Sequence, residues 1–349
     1  MTMIAWIAAV ALVTSASAWA QTAPPSPPAA PSPPGAAAPV APPAPRAGPS
    51  EVDRAQADAE RARARADAER RRAEAERRRA AADALRQSWR TYPGMSELQV
   101  RDAVAILRIQ AEARDSVAVS IRNPGPLPAP TVRTHGRKVV IDGGVRGIRN
   151  CGGDIGEPEV STAREGRIAP AAVPIIDVRV PRDVVLYTSG AVYASIGPSE
   201  TVRVSLSGCG QTVFAPVADR FTLAVSGSGE VVAGAAGDAE VSLAGSGDAY
   251  LGPVRSLGVS IAGAGDVTAA DILGGPVRIA IQGSGDVVMA SGRAQSMTVA
   301  IAGSGDVVFR GDAGALDAVI AGSGDVVVRR VSGRVTQRVV GSGEVVIGR

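Results

Sequence analysis

A short motif recurs eight times along the C-terminal part of this 349-residue chain, and no other feature limits its fold so tightly. It reads SGCGQTVF from Ser207, SGSGEVVA from Ser226, AGSGDAYL from Ala244, AGAGDVTA from Ala262, QGSGDVVM from Gln282, AGSGDVVF from Ala302, AGSGDVVV from Ala321 and VGSGEVVI from Val340. The first glycines, Gly208, Gly227, Gly245, Gly263, Gly283, Gly303, Gly322 and Gly341, are separated by 19, 18, 18, 20, 20, 19 and 19 residues. So narrow a period belongs to stacked units. Each unit holds an alternating strand such as Val299-Ala300-Ile301, a Gly-x-Gly-acid corner, a short strand such as Val307 to Phe309, and a Gly-bearing return loop. One unit is too short to bury its own apolar face. Stacking lets alternate Val, Ile and Leu side chains pack on the next coil. The glycines supply either a positive φ or the close backbone approach that a tight corner requires.

The expected fold is therefore all-β, a parallel β-helix (β-solenoid) of about 19-residue coils. With about 4.8 Å between coils, eight copies make a rod of roughly 35 to 40 Å. A β-sandwich gives no reason for identical corners at a fixed period. An outer-membrane barrel needs longer strands and aromatic girdles, whereas Phe, Trp and Tyr make up only 3% of the chain.

The residue after the second glycine is Gln211 in the first copy, then Glu230, Asp248, Asp266, Asp286, Asp306, Asp325 and Glu344. In-register stacking turns these into a ladder of carboxylates about 5 Å apart, which repel by roughly 1 kcal/mol even at water's dielectric constant. Something must offset that. In one reading each acid accepts hydrogen bonds from amides of its own corner or points to solvent. In the other, Asp248, Asp266, Asp286, Asp306 and Asp325 form a Ca²⁺ ladder with turn carbonyls. The nonapeptide of calcium-loaded β-rolls differs in period and in the placement of its acid, so its ligand geometry does not carry over.

Upstream of the repeats, Leu98 to Ile109 reads as helix or strand; the clean alternation at Val117, Val119 and Ile121 and the run Val139 to Ile141 favour strands. Pro124 to Pro130 and the glycines around Cys151 mark turns. Ile175 to Val180, Val184 to Tyr187 and Val202 to Leu206 continue the strand pattern.

The N-terminal part is organised differently. Residues 1–20 hold an apolar run, Ile4 to Val13, followed by Ala18-Trp19-Ala20, a signal-peptidase pattern, so the mature chain is expected to begin near Gln21. The run is about half the length a bilayer-spanning helix needs, and no integral membrane domain is expected in the mature chain. Residues 21–50 are almost all Pro, Ala and Ser, a disordered, semi-rigid linker. Residues 51–90 are Ala, Arg, Glu and Asp, with Glu60/Arg63, Asp67/Arg71 and Glu74/Arg78 at helical neighbour spacing, and are expected to form a charged helix. Its large apolar residues, Val52, Leu85 and Trp89, are too few for a heptad seam, so a spacer is favoured over a coiled coil or a basic arm. Residues 91–349 form the solenoid domain, with the strongest repeats over 207–349.

Export places the two cysteines, Cys151 and Cys209, where a disulfide persists, and they are expected to pair rather than remain buried thiols. Residues 51–90 carry twelve Arg against nine acids, while residues 91–349 hold 24 basic and 25 acidic residues. A near-neutral main domain offers no electrostatic case for nucleic acid.

The GSGDV corners, with the approach DVRVPRDVVLYTSGAVYASIG from Asp177, resemble the GIN domain, the head domain of putative autotransporter adhesins, over roughly Val100 to Arg349 and most closely from Pro174. That resemblance implies a right-handed parallel β-helix in an exported protein, in the periplasm or on the outer surface of a Gram-negative bacterium, with no defined enzymatic activity. Only Gly348-Arg349 follow the last repeat, so self-translocation through a C-terminal barrel is not expected.

Acids at equivalent positions in repeat after repeat suit a structural or multivalent binding role; a catalytic pair breaks such symmetry. The single His135 has no nucleophile motif or ligand cluster beside it, and two cysteines are too few for a zinc site. The sequence is read as a non-catalytic, adhesin-like binding or scaffold module without a cofactor. Its expected partner is an envelope glycan or protein, and its solenoid ends are open to self-association. A carbohydrate-active β-helix enzyme and a calcium-dependent structural rod are the alternatives.

Overall fold

The computed structural model describes residues 65, 68–72, 74–75, 89–123 and 125–348. The chain divides into two compact units, Met1–Arg70 and Arg71–Arg349. In the first, Arg65 and residues 68–70 are helical. The signal-peptide and linker readings lie outside the described residues. In the second, residues 71, 72, 74 and 75 are helical and almost everything from Arg90 onward is strand.

Strands are numbered in chain order. The helix expected to run to residue 90 does not reach it, because β1 (Arg90–Pro93) pairs antiparallel with β3 (Ser116–Arg122). Tyr92 packs against the core there, and Trp89 lies under the Arg179 guanidinium at 4.7 Å. Burial and an open strand edge outweigh the helical propensity of the Ala/Arg run. The ambiguous segment is a strand, β2 (Glu97–Glu112), in which Leu98, Val100, Ala105, Leu107 and Ile109 are buried.

From β2 onward the backbone winds into a solenoid of about nine turns. One ladder of parallel strands runs through β2, β10 (Asp183–Ile196), β11 (Thr201–Cys209), β13 (Val217–Gly227), β15 (Ala236–Gly245), β16 (Ala249–Gly263), β18 (Val277–Gly283), β21 (Met297–Gly303), β23 (Leu316–Gly322) and β25 (Val335–Gly341). A second ladder continues each coil beyond its corner. It runs from the C-terminal half of β10 through β12 (Gln211–Phe214), β14 (Glu230–Ala233), the start of β16, β17 (Val267–Leu273), β19 (Val287–Met289), β22 (Val307–Ala313), β24 (Val326–Val331) and β26 (Val345–Ile347). A short third side is marked by β20 (Gly292–Ala294) between β17 and β22.

Period-2 alternation sets which side chains enter the core. In β21, Met297, Val299 and Ile301 are buried while Thr298, Ala300 and Ala302 face outward. Parallel register puts like on like: Ile261, Ile281, Ile301 and Ile320 lie in one column. Full burial of each such side chain contributes about 1.5–3 kcal/mol.

The corner explains why the repeat is written in glycine. Gly303 has φ +149° and Gly322 φ +146°. A Cβ on either would stand 2.0 Å from the carbonyl oxygen of the glycine one coil earlier. Both reasons expected from the sequence, positive φ and close backbone approach, operate at the same atom. The column extends upstream of the first motif copy, since Gly190 pairs with Gly208 and Ala103 with Gly190. There the positive φ falls on Asp102, at +47°, and the ladder shifts register by one residue. β2 and β10 are therefore coils without the signature, which is why eight motifs give more than eight turns.

Antiparallel strands close the N-terminal end of the stack. β3 pairs with β9 (Ile175–Pro181), which lies on the second half of β2, while the hairpin of β4 (Thr131–His135) and β5 (Lys138–Asp142) lies on the first half of the same β2 edge. A separate three-stranded sheet of β6 (Ile148–Gly153), β7 (Pro158–Thr162) and β8 (Gly166–Ile168) covers an apolar patch of Val104, Ile106, Ala191 and Tyr193. The glycines near Cys151 thus lie partly in β6 rather than in a turn. Cys151 and Cys209 form a disulfide with Cα atoms 6.1 Å apart, tying β6 to the solenoid corner. The buried Tyr193 hydroxyl donates to the carbonyl of Gly152 beside it.

Candidate functional site

The repeated corner generates two outward columns, side by side. The first is the acid column. The N–H of Asp266 donates to Oδ1 of Asp248 at 3.0 Å, that of Asp286 to Asp266 at 2.8 Å, that of Asp306 to Asp286 at 2.8 Å, that of Asp325 to Asp306 at 2.8 Å, and that of Glu344 to Asp325 at 2.9 Å. Neither sequence reading had this geometry. The amide that each carboxylate accepts comes from the following coil and not from the acid's own corner. The glycine bend lifts this amide out of the regular strand ladder, and the carboxylate one coil earlier replaces the missing acceptor. A charge-assisted bond of this kind offsets the repulsion between neighbouring acids. The first copy differs, because the Gln211 side-chain amide donates to Oε1 of Glu230 at 3.3 Å.

The acid's own carbonyl takes part as well. Asp286 O accepts from Val267 N at 2.9 Å, and Asp306 O accepts from Val287 N at 2.9 Å. Asp248, Asp266, Asp286, Asp306 and Asp325 are thus each bonded to the coil before and the coil after. Among the described residues, no group of three or more His, Cys, Asp or Glu side chains is arranged to hold a metal ion.

The second column was not singled out from the sequence. Two residues after each acid, the outward side chain is Val213, Val232, Tyr250, Thr268, Val288, Val308, Val327 or Val346, paired in register. Its signal was the middle position of the short strand, whose neighbours on both sides point inward. Tyr250 is 45% exposed and Val346 40%, and the others are half-buried. Burial, then the carboxylates of Asp248, Glu230 and Asp266, push the Tyr250 phenol above its ordinary pKa. The result is a ribbon with carboxylates along one edge and β-branched or aromatic side chains along the other, repeated at the coil spacing.

Outside the ribbon, His135 stands exposed at the β4–β5 turn, paired in register with Lys138. Arg101 and Arg133 converge on Asp142 at 2.6 and 3.4 Å. The hydrogen bond from Arg101 is the main cause that holds the Asp142 carboxyl below its usual range. These contacts fasten the cap hairpin to β2. No helix among the described residues is long and apolar enough to cross a membrane.

A parallel β-solenoid with one chemistry repeated along its corner is a surface-presenting architecture. The family described as "Putative auto-transporter adhesin, head GIN domain" matches residues 176–276 and 269–348, and this solenoid part of the chain belongs to that family. A solved structure titled "putative adhesin" from Parabacteroides distasonis ATCC 8503 is similar over 74% of this chain and 95% of its own, at 16% identity and a TM-score of 0.46. A "putative lipid binding protein" from the same organism is similar over 75% and 96%, at 16% identity and a TM-score of 0.39. A "putative adhesin" from Bacteroides fragilis NCTC 9343 is similar over 74% and 95%, at 12% identity and a TM-score of 0.33. No curated protein matches the chain.

Proposed function

We propose that this protein is an exported, non-catalytic binding module, adhesin-like in mode, that holds an extended envelope polymer along its acid and apolar ribbon. The observation that carries this reading is the in-register repetition of one outward pair, acid and β-branched residue, on coil after coil. A ligand with its own repeat meets many weak identical contacts, and linked contacts multiply into avidity. Carboxylates accept hydrogen bonds from hydroxyl or amide groups of a glycan, and the valine column receives its apolar faces. The family's description as an adhesin head points the same way, and the Cys151–Cys209 disulfide suits an oxidising compartment.

The test is co-sedimentation of the full chain with purified peptidoglycan sacculi, comparing wild type with Asp286→Asn/Asp306→Asn and with Val288→Lys/Val308→Lys. Binding that falls several-fold in both double variants, with unchanged circular dichroism, supports the ribbon. Binding that is absent in wild type, or equal in all three proteins, removes this glycan class or this surface from the reading.

A further inference from the structure

The outward face of the long-strand ladder, around the corner from the ribbon, carries a charge order that has no use within one chain. At the second outward column, register-paired residues run Arg203, Thr222, Glu240, Gly258, Arg278, Thr298 and Asp317. The sequence of charge is plus, neutral, minus, neutral, plus, neutral, minus. It reverses sign about Gly258. Arg203, Glu240, Arg278 and Asp317 are exposed, and among the described residues none of them forms an ion pair within its own chain. On the corner side of this column the outward positions are Ser, Ala, Val or Gln, while on its other side lie Arg220 and the ion pair Arg255–Asp238, so the corner side of the face is a nearly flat sheet, with a shallow trough around Gly258 lined by Arg220, Asp238, Glu240 and Arg278.

We infer that this face docks a second copy of the chain, packed sheet to sheet about a two-fold axis that runs parallel to the strands over Gly258. A rotation of this kind reverses coil order but keeps each column opposite itself, so Gly258 faces its symmetry mate. Glu240 then meets Arg278 of the other copy, and Arg203 meets Asp317, each twice, as an isologous interface requires. Thr222 faces Thr298. The register is selected by charge. Moving the axis one coil toward the C terminus sets Arg278 against its own mate and Glu240 against Asp317; moving it one coil the other way sets Glu240 against Glu240 and Arg203 against Arg278. Like charges brought together suppress those alternatives.

The size also fits. Seven strands at about 4.8 Å spacing and seven residues at about 3.3 Å cover on the order of 780 Å² on each copy, or about 1,550 Å² in total, within the range of specific interfaces. Small side chains let the two sheets approach closely. The cap strands β1, β3 and β9 lie beyond the N-terminal end of the paired coils, and β6–β8 cover the other side of the corner.

The experiment is sedimentation equilibrium of the full chain, with light scattering as a second readout, on wild type, Glu240→Arg, Arg278→Glu and the double exchange. The expected result is twice the chain mass for wild type, at least about tenfold weaker association for each single reversal, and recovery in the double exchange. A cysteine at the axis gives independent proof. A Cβ at Gly258 meets nothing closer than 3.8 Å, so Gly258→Cys folds, and mild oxidation should yield a covalent dimer, whereas Thr268→Cys on the ribbon should not. A wild type that is monomeric at about 100 μM overturns the proposal. So does a dimer that withstands both reversals and escapes the Gly258→Cys cross-link, which would instead place association at the exposed last coil, β25 and β26.

Discussion

Oδ1 of Asp306 accepts the backbone N–H of Asp325 at 2.8 Å, from one coil to the next. The side chain acts there as a spare carbonyl for an amide that the glycine corner has turned away from its neighbour. What matters is an oxygen at that position and not the charge on it. Asp306→Asn should therefore keep the thermal midpoint within about 1 °C. Asp306→Ala leaves the Asp325 amide unpaired in a partly buried corner and should cost about 1–3 kcal/mol. Thermal unfolding of the two variants separates acceptor from charge, and equal losses would refute the acceptor role.

The same bonds bear on calcium. With Oδ1 of Asp248, Asp266, Asp286, Asp306 and Asp325 each engaged by an amide, the column is already satisfied as a ladder. Unfolding midpoints with 5 mM-range Ca²⁺ and with excess chelator, on the order of a thousand-fold apart in free ion, should agree within about 2 °C. A rise of several degrees would show that the second carboxylate oxygens bind the ion.

Gly303 is one of the corner glycines that leave no room for a methyl group. Gly303→Ala places a Cβ against the carbonyl of Gly283 at φ +149°, and the coils on both sides must part. A loss above about 4 kcal/mol is expected, in the range reserved for severe packing or backbone defects. Gly258→Ala, whose Cβ has room and whose φ is ordinary, should be near neutral. Chemical denaturation of both measures the contrast.

Cys209 occupies the motif position that is Ser or Ala in every other copy, so Cys209→Ser restores the repeat while cutting the tie to β6. The closed loop spans a sequence separation of 58 residues, and the chain-entropy model gives about 4 kcal/mol for a loop of that size. The expected signature is local: limited proteolysis should cleave within β6–β8 in Cys209→Ser and in reduced wild type, well before the coils from β13 onward are attacked. Uniform loss of all coils together would show that the sheet is not a separable cover.

The cap hairpin should respond to acid. Asp142 has a carboxyl held below its unfolded value, chiefly by the hydrogen bond from Arg101, so its contribution is present above the unfolded pKa and lost as pH falls through the lower folded one. The pair is partly exposed, which limits it to about 0.2–1 kcal/mol. Arg101→Met should be less stable than wild type by that amount at pH 7, and the difference should close as pH falls below the ordinary carboxylate range. A gap that persists at pH 2 would assign the loss to packing.

The repeat by itself determined the coil length, the parallel stacking, the inward alternation and the glycine corner, because each follows from local steric demands that recur every nineteen or so residues. The disulfide partners followed from there being only two cysteines. Other features depended on which surfaces meet. β2 and β10 join the stack without the motif, because pairing with a formed coil edge substitutes for the corner signature. Arg90 belongs to β1 and not to the expected helix, because β3 offers an edge and a core. The carboxylate ladder takes its amides from the adjacent coil, since corners one period apart in sequence are hydrogen-bond neighbours in space. The outward columns, with their apolar ribbon and their alternating charges, likewise exist only across coils: no single repeat contains them, and in-register stacking lines up their members.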